Sequence, residues 1–74
     1  MSADYARMEL ASTTLASAEY SAPSAQLMLV FRDGSRYLYS GVPMPLFTAL
    51  VEAPSHGTFF NRQIRDRFGH VRLA

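Results

Sequence analysis

Two tyrosines one residue apart, Tyr37 and Tyr39, offer the clearest chemistry in this chain. On a strand, alternation sets both rings on one face about 7 Å apart. Flat rings at that spacing, bordered by arginine, form a platform on which unpaired bases stack, each stack being worth about 1–3 kcal/mol. The competing reading packs the same rings beneath helices, with their hydroxyls reaching the rim. All the lysine-plus-arginine positions are arginine, and four of them (Arg62, Arg65, Arg67 and Arg72) stand in residues 55–74 against Asp66 alone. Residues 1–54 are instead acidic, with Arg7, Arg32 and Arg36 opposed by Asp4, Glu9, Glu19, Asp33 and Glu52. Guanidinium forks bind phosphate bidentately and stack on rings, so Arg62, Arg65 and Arg67 are candidate phosphate contacts. Asn61 and Arg65, four apart, are neighbours on a helix face and can share a ligand or anchor that helix to a strand end. Against this stand the wet face that any surface helix shows and the arginine- and alanine-rich composition of a GC-rich genome.

Catalysis finds little foothold. There is no Gly-x-Ser-x-Gly elbow, no phosphate-cradling loop ending in Lys-Ser or Lys-Thr, and no cysteine. His56 reads as a first-turn helix residue and His70 as a solvated tail residue, and with no third ligand they make no metal site. The carboxylates are scattered rather than paired for acid and base work. The expectation is a non-enzyme without cofactor or metal.

The elements that must position these side chains follow from periodicity. Residues 14–21 alternate, with Ala16, Ala18 and Tyr20 on one side and Leu15, Ser17 and Glu19 on the other, which predicts a strand. Residues 22–25 hold Pro23 among small residues and read as a turn. Residues 26–31 and 36–42 form a hairpin around Arg32-Asp33-Gly34-Ser35. A two-residue turn pairs Val30 with Tyr37; a three-residue turn with Gly34 left-handed pairs Leu29 with Tyr37 and Leu27 with Tyr39. The second register is favoured because it gathers Leu27, Leu29, Phe31, Tyr37 and Tyr39 on one face. Pro43 suits a helix start, Phe47, Leu50 and Val51 form an apolar stripe, and Pro54 ends the run. Ser55 is placed to cap a second helix, whose seam is Phe60, Ile64 and Phe68, with Arg62 and Arg65 pointing away from it. Residues 1–10 lack a period and read as a poorly ordered leader, and residues 71–74 as a tail.

The whole is 74 residues with formal net charge +1, enough for one small module. Without cysteine, packing or a partner must hold it together. The longest apolar run, residues 27–31, is far short of a membrane span, and residues 1–20 carry acids and no apolar block, so a cytoplasmic location is expected. The strand at residues 27–31 is apolar on both faces and needs cover on both; two helices can cover one, which leaves the other for the leader, a second copy of the protein or a ligand.

The order and spacing of these pieces resemble the KTSC domain, a short module of bacterial proteins also found at the C-terminus of some lysyl-tRNA synthetases. The match comprises Ser12-Thr13-Thr14-Leu15, Tyr20, Leu27-x-Leu29-x-Phe31-x-x-Gly34-x-x-Tyr37-x-Tyr39, Val42-Pro43, Ala53-x-Ser55-x-Gly57 and Phe60-Asn61-x-x-Ile64-Arg65. Glu19-Tyr20-Ser21 departs from the family's frequent Gly-Tyr-Asp, and Phe68 stands where tyrosine is common. The resemblance implies a compact α+β domain over residues 11–70 and a suggested RNA-binding role, and it carries over no catalytic residues. Ser55 as a cap and Gly57 as a close approach read as structural, as do Gly34, Pro43, Phe60 and Ile64. The expected architecture is a three-stranded antiparallel meander followed by two helices on one face. The expected function is RNA binding through Tyr37, Tyr39, Asn61, Arg62, Arg65 and Arg67, with a protein-interaction or homodimer module as the alternative.

Overall fold

A computed structural model describes residues 5–74. Five strands, β1 (Tyr5–Glu9), β2 (Leu15–Ser21), β3 (Gln26–Phe31), β4 (Arg36–Ser40) and β5 (His70–Arg72), form one antiparallel sheet in that order. Helices α1 (Met44–Glu52) and α2 (His56–Gln63) lie between β4 and β5. No helix among the described residues is long and apolar enough to cross a membrane.

The hairpin adopts the three-residue turn. Leu29 pairs with Tyr37 and Leu27 with Tyr39, the Phe31 amide donates to the Ser35 carbonyl at 2.9 Å, and Gly34 sits at φ +93°, where a side chain would be strained. Tyr20, Leu27 and Tyr39 therefore stand in one row across the sheet. Both helices cover the face that carries this row: the Phe47 ring of α1 stacks on Tyr20 at 5.0 Å and the Phe60 ring of α2 meets Tyr39 edge-on at 5.7 Å. Leu15, Leu27, Leu29, Val42, Leu50 and Ile64 are fully buried between the layers, each contributing about 1.5–3 kcal/mol on removal from water.

Local sequence explains the helix boundaries. Pro43 precedes α1 in the extended conformation and Pro45 lies in its first turn, where a missing amide hydrogen costs no bond. Ala53, followed by Pro54, is extended at ψ 141°, as a residue before proline prefers, so the helix ends there. The Ser55 hydroxyl accepts the Thr58 amide at 3.3 Å and caps α2, while His56 Nδ1 donates to the Leu50 carbonyl at 2.8 Å and ties α2 to α1.

The structure corrects the expected architecture at both ends of the chain. There are four strands before the helices and a fifth after them, rather than three in all. Of the expected leader, residues 1–4 lie outside the described residues, and residues 5–9 form β1. It is an edge strand held by its ladder to β2 and by Arg7, whose guanidinium meets Glu9 at 2.9 Å and Glu19 at 3.3 Å. The expected tail contributes to β5, and beyond that strand the Leu73 amide still donates to the Arg36 carbonyl at 2.7 Å. Leu15 faces the core instead of standing with Ser17 and Glu19, because a register shift between Leu15 and Ser17 rotates the strand. The second helix ends at Gln63, before the expected seam residue Phe68, which lies half-buried in the following turn.

Candidate functional site

The loop before β2, the β3–β4 hairpin, the end of α2 with the turn after it, and β5 enclose a cleft of about 530 Å³. Its floor is a set of five rings. Phe31 meets Tyr37 edge-on at 5.6 Å and Phe60 at 5.3 Å; Tyr37 and Tyr39 lie 6.5 Å apart, close to the spacing that strand alternation dictates. The fifth ring, His70, lies 5.0 Å from Tyr39 and 5.9 Å from Tyr37. The Arg72 guanidinium stands 5.9 Å from the centre of the Tyr37 ring, within cation–π range. Thr14, Asp33, Ser35, Asn61, Arg65 and Asp66 supply the polar rim.

Backbone geometry holds this rim in place. Ser12 Oγ accepts the amides of Thr14 and Leu15, and Arg32 donates to the carbonyls of Ser12 and Leu10 at 2.9 and 2.8 Å, so the loop that presents Thr14 is pinned from both sides. Gly57 lies against it: a Cβ there would meet Thr14 Oγ1 at 3.1 Å. The Ser12-Thr13-Thr14 and Ser55-x-Gly57 segments are thus two halves of one contact that seats α2 beside the cleft. On the opposite rim, Asp33 Oδ1 accepts both the hydroxyl and the amide of Ser35, at 2.7 and 2.9 Å. Those two bonds, the hydroxyl's first, hold the Asp33 carboxyl below its ordinary range. Burial pushes the Tyr39 hydroxyl up, with neighbouring Tyr37 adding to the effect and Arg65 opposing it.

The sequence-predicted site residues separate into two groups. Tyr37, Tyr39, Asn61 and Arg65 come together in the cleft. Arg62 lines a different, shallower groove beside Pro54 and Phe59. Arg67 turns back on the helix, its Nε donating to the Arg62 carbonyl at 2.9 Å. Arg65 stands beyond the last helical residue, not on the helix, yet its proximity to Asn61 at the cleft persists. Tyr39 is only 3% exposed, its ring covered by His70 and Phe60, so of the two tyrosines only half-buried Tyr37 offers a ring to a ligand. Sequence reasoning missed His70, and it counted Arg72 in the basic cluster without placing it opposite Tyr37, because nothing local marks β5. It also took Phe31 and Phe60 for core alone and assigned the Asp33 turn no role.

The sheet's other face has no helix on it. Met28, Leu38 and Val71 form one cross-strand row there, with Val30 beside them, and Val71 is 57% exposed. Arg7 and Glu19 continue that row across β1 and β2. Among the described residues, no three His, Asp or Glu side chains cluster closely enough to hold a metal ion.

Known proteins resemble this chain in fold and sequence. The crystal structure of a KTSC domain protein from Yersinia pestis superposes with a TM-score of 0.88 at 28% identity, covering 95% of this chain and 99% of that one. A Tsukamurella paurometabola protein is 37% identical over 62 residues, 84% of this chain and 92% of its own length. The KTSC domain profile matches residues 11–68, a stretch that holds β2 through α2 and every cleft residue except those on β5. With the pinned Thr14 loop, the Gly34 hairpin and the Ser55-capped helix all inside that match, the chain belongs to the KTSC domain family.

Proposed function

We propose that the chain is a non-enzymatic binding module that holds an unpaired base of RNA in the cleft between the β3–β4 hairpin and α2. The observation that carries this reading is the convergence of five rings in one open cleft rimmed by hydrogen-bonding side chains. Tyr37 and His70 offer ring surface, Asn61 and Arg65 read a base edge, and Arg72 takes the adjoining phosphate. A formal net charge of +1 is too small for tracking along a backbone, so base contacts supply most of the affinity. One phosphate contact gives a slope of log K against log salt of about −0.7, whereas engagement of all four arginines of residues 55–74 would give about −2.8.

A second reading, a protein-interaction or homodimer module, rests on the uncovered row of Met28, Leu38 and Val71. One NMR experiment separates the two. Short single-stranded and hairpin RNAs are titrated into the labelled protein at two salt concentrations, with Tyr37→Ala, Arg65→Ala and Arg62→Ala compared. The expected result is shifts at Tyr37, Asn61, Arg65 and His70, a loss of about 5- to 150-fold for Tyr37→Ala if one stack is removed, and no loss for Arg62→Ala. Absence of cleft shifts with every RNA refutes the RNA reading. Shifts at Met28, Leu38 and Val71 that grow with protein concentration favour the second.

A further inference from the structure

Resting on the RNA reading of the cleft, we infer that its rim selects guanine over the other three bases, with Asp66 receiving the base's N1–H and N2–H donors and Arg65 and Asn61 donating to its O6 and N7. The argument starts from what the rim still lacks. Of the two carboxylates that line the cleft, Asp33 already uses Oδ1 for the amide and hydroxyl of Ser35. Asp66 makes no hydrogen bond or ion pair with any described residue, so both of its oxygens are open. An ionised carboxylate is an acceptor only, and two oxygens side by side match two parallel N–H donors on one edge. Guanine alone among the four RNA bases offers that pair on its Watson–Crick edge. Uracil has a single N–H between two carbonyls, and adenine and cytosine set their amino group beside an unprotonated ring nitrogen that a carboxylate repels.

The donors on the rim fit the rest of the same base. Arg65 directly precedes Asp66, Asn61 lines the cleft with them, and both present N–H groups to acceptors. Guanine O6 and N7 are the acceptors that arginine most often reads. The open Asp33 Oδ2 on the hairpin rim favours a base rich in donors and disfavours a carbonyl edge. A polar site built to pair with specific donors rejects ligands lacking them because its own groups would be left unpaired on closure.

The test uses five-nucleotide RNAs of uridine with one central guanosine, adenosine, cytidine or uridine, a design that keeps guanine runs out. Affinity is read by NMR titration of the full chain and of Asp66→Asn. The expected result is at least tenfold tighter binding of the guanosine oligomer, a preference that Asp66→Asn removes while the adenosine oligomer binds as before. Asp66 is exposed and outside the regular elements, so the variant's fold is checked simply by its amide spectrum. Equal binding of all four oligomers in the cleft overturns guanine selectivity and leaves the RNA reading standing. Binding of none overturns both. A guanine preference that survives Asp66→Asn overturns the assignment of the donor edge to that carboxylate.

Discussion

Gly57→Ala isolates the contact that seats α2 against the cleft. Gly57 is the second residue of α2, where alanine is the better helix former by up to about 0.8–1 kcal/mol. The added Cβ, however, meets Thr14 Oγ1 at 3.1 Å and Thr14 Cβ at 3.4 Å. Thr14 has little room to yield. Its amide donates to Ser12 Oγ and its carbonyl accepts the Arg32 amide at 3.0 Å, so the backbone is fixed. Of the two other χ1 rotamers one swings Cγ2, now 3.9 Å off, toward the same spot and the other carries Oγ1 to the place of Cγ2; neither relieves the Cβ contact, and a β-branched side chain is stiff at χ1. Overpacking of this kind costs about 1–3 kcal/mol and outweighs the propensity gain. The expected net effect is a loss of about 1 kcal/mol, or about 4–8 °C in Tm for a chain of this size. In a Thr14→Ala background both the oxygen and Cγ2 are gone, and the same Gly57→Ala change becomes stabilising by about 0.5 kcal/mol or more. Urea and thermal denaturation followed by circular dichroism on the four proteins of this cycle reads the sign directly. If Gly57→Ala stabilises equally in both backgrounds, the close approach constrains nothing and the reasoning is wrong.

Two further predictions concern polar groups that fix the sheet and the rim. Tyr20→Phe removes the hydroxyl that donates to the buried Val42 carbonyl at 2.6 Å while keeping the stack on Phe47, so it costs about 1–2 kcal/mol in urea denaturation with the aromatic circular dichroism retained; a loss below about 0.3 kcal/mol contradicts the assignment. Ser35→Ala raises the Asp33 carboxyl back toward its ordinary value of 3.8, because the hydroxyl is the largest cause of its depression. Since folding lowers this group's pKa, its stabilising effect is present above the unfolded value and is lost as pH falls through the folded one. The variant's acid loss is accordingly shallower, and an Asp33 carboxyl titration by NMR that is unchanged in Ser35→Ala refutes the hydrogen-bond account.

How much of this was legible in the sequence depends on whether the information was local. The hairpin register could be read because Gly34 and the apolar set of Leu27, Leu29 and Phe31 act within a few residues of each other. The Ser55 cap and the Pro54 stop are local in the same sense. β1 was invisible because an edge strand pairs on one side only and needs no alternating pattern; its support comes from β2 and from a cross-strand ion pair. β5 has three residues and pairs with a strand about thirty positions earlier, so no window contains its reason for existing. The bulge near Ala16 misled the alternation count by one residue, enough to send Leu15 to the wrong side.

Most of the candidate site went unread for the same reason. Phe60, Ile64 and Phe68 recur every four residues, and that period predicts a helix running on to Phe68. A helix continued over those four or five residues would carry the chain about 6–8 Å further along its axis, past the sheet edge where β5 must begin. Instead the helix stops after Gln63, Ile64 stays buried, and the turn beyond it is closed by bonds from the Arg65 amide to the Phe60 carbonyl and from the Arg67 amide to the Ile64 carbonyl. The Arg67 side chain takes up the Arg62 carbonyl that the shortened helix leaves exposed. The chain then reaches β4 at once, the Gly69 carbonyl accepting the Ser40 amide at 2.9 Å, and His70 and Arg72 arrive opposite Tyr39 and Tyr37. The early stop of α2 therefore creates the cleft: it frees Arg65 and Asp66 to stand on the rim and delivers the fifth ring to the floor. Tertiary pairing with β4 overrides the helical period at the place where the proposed binding chemistry is assembled.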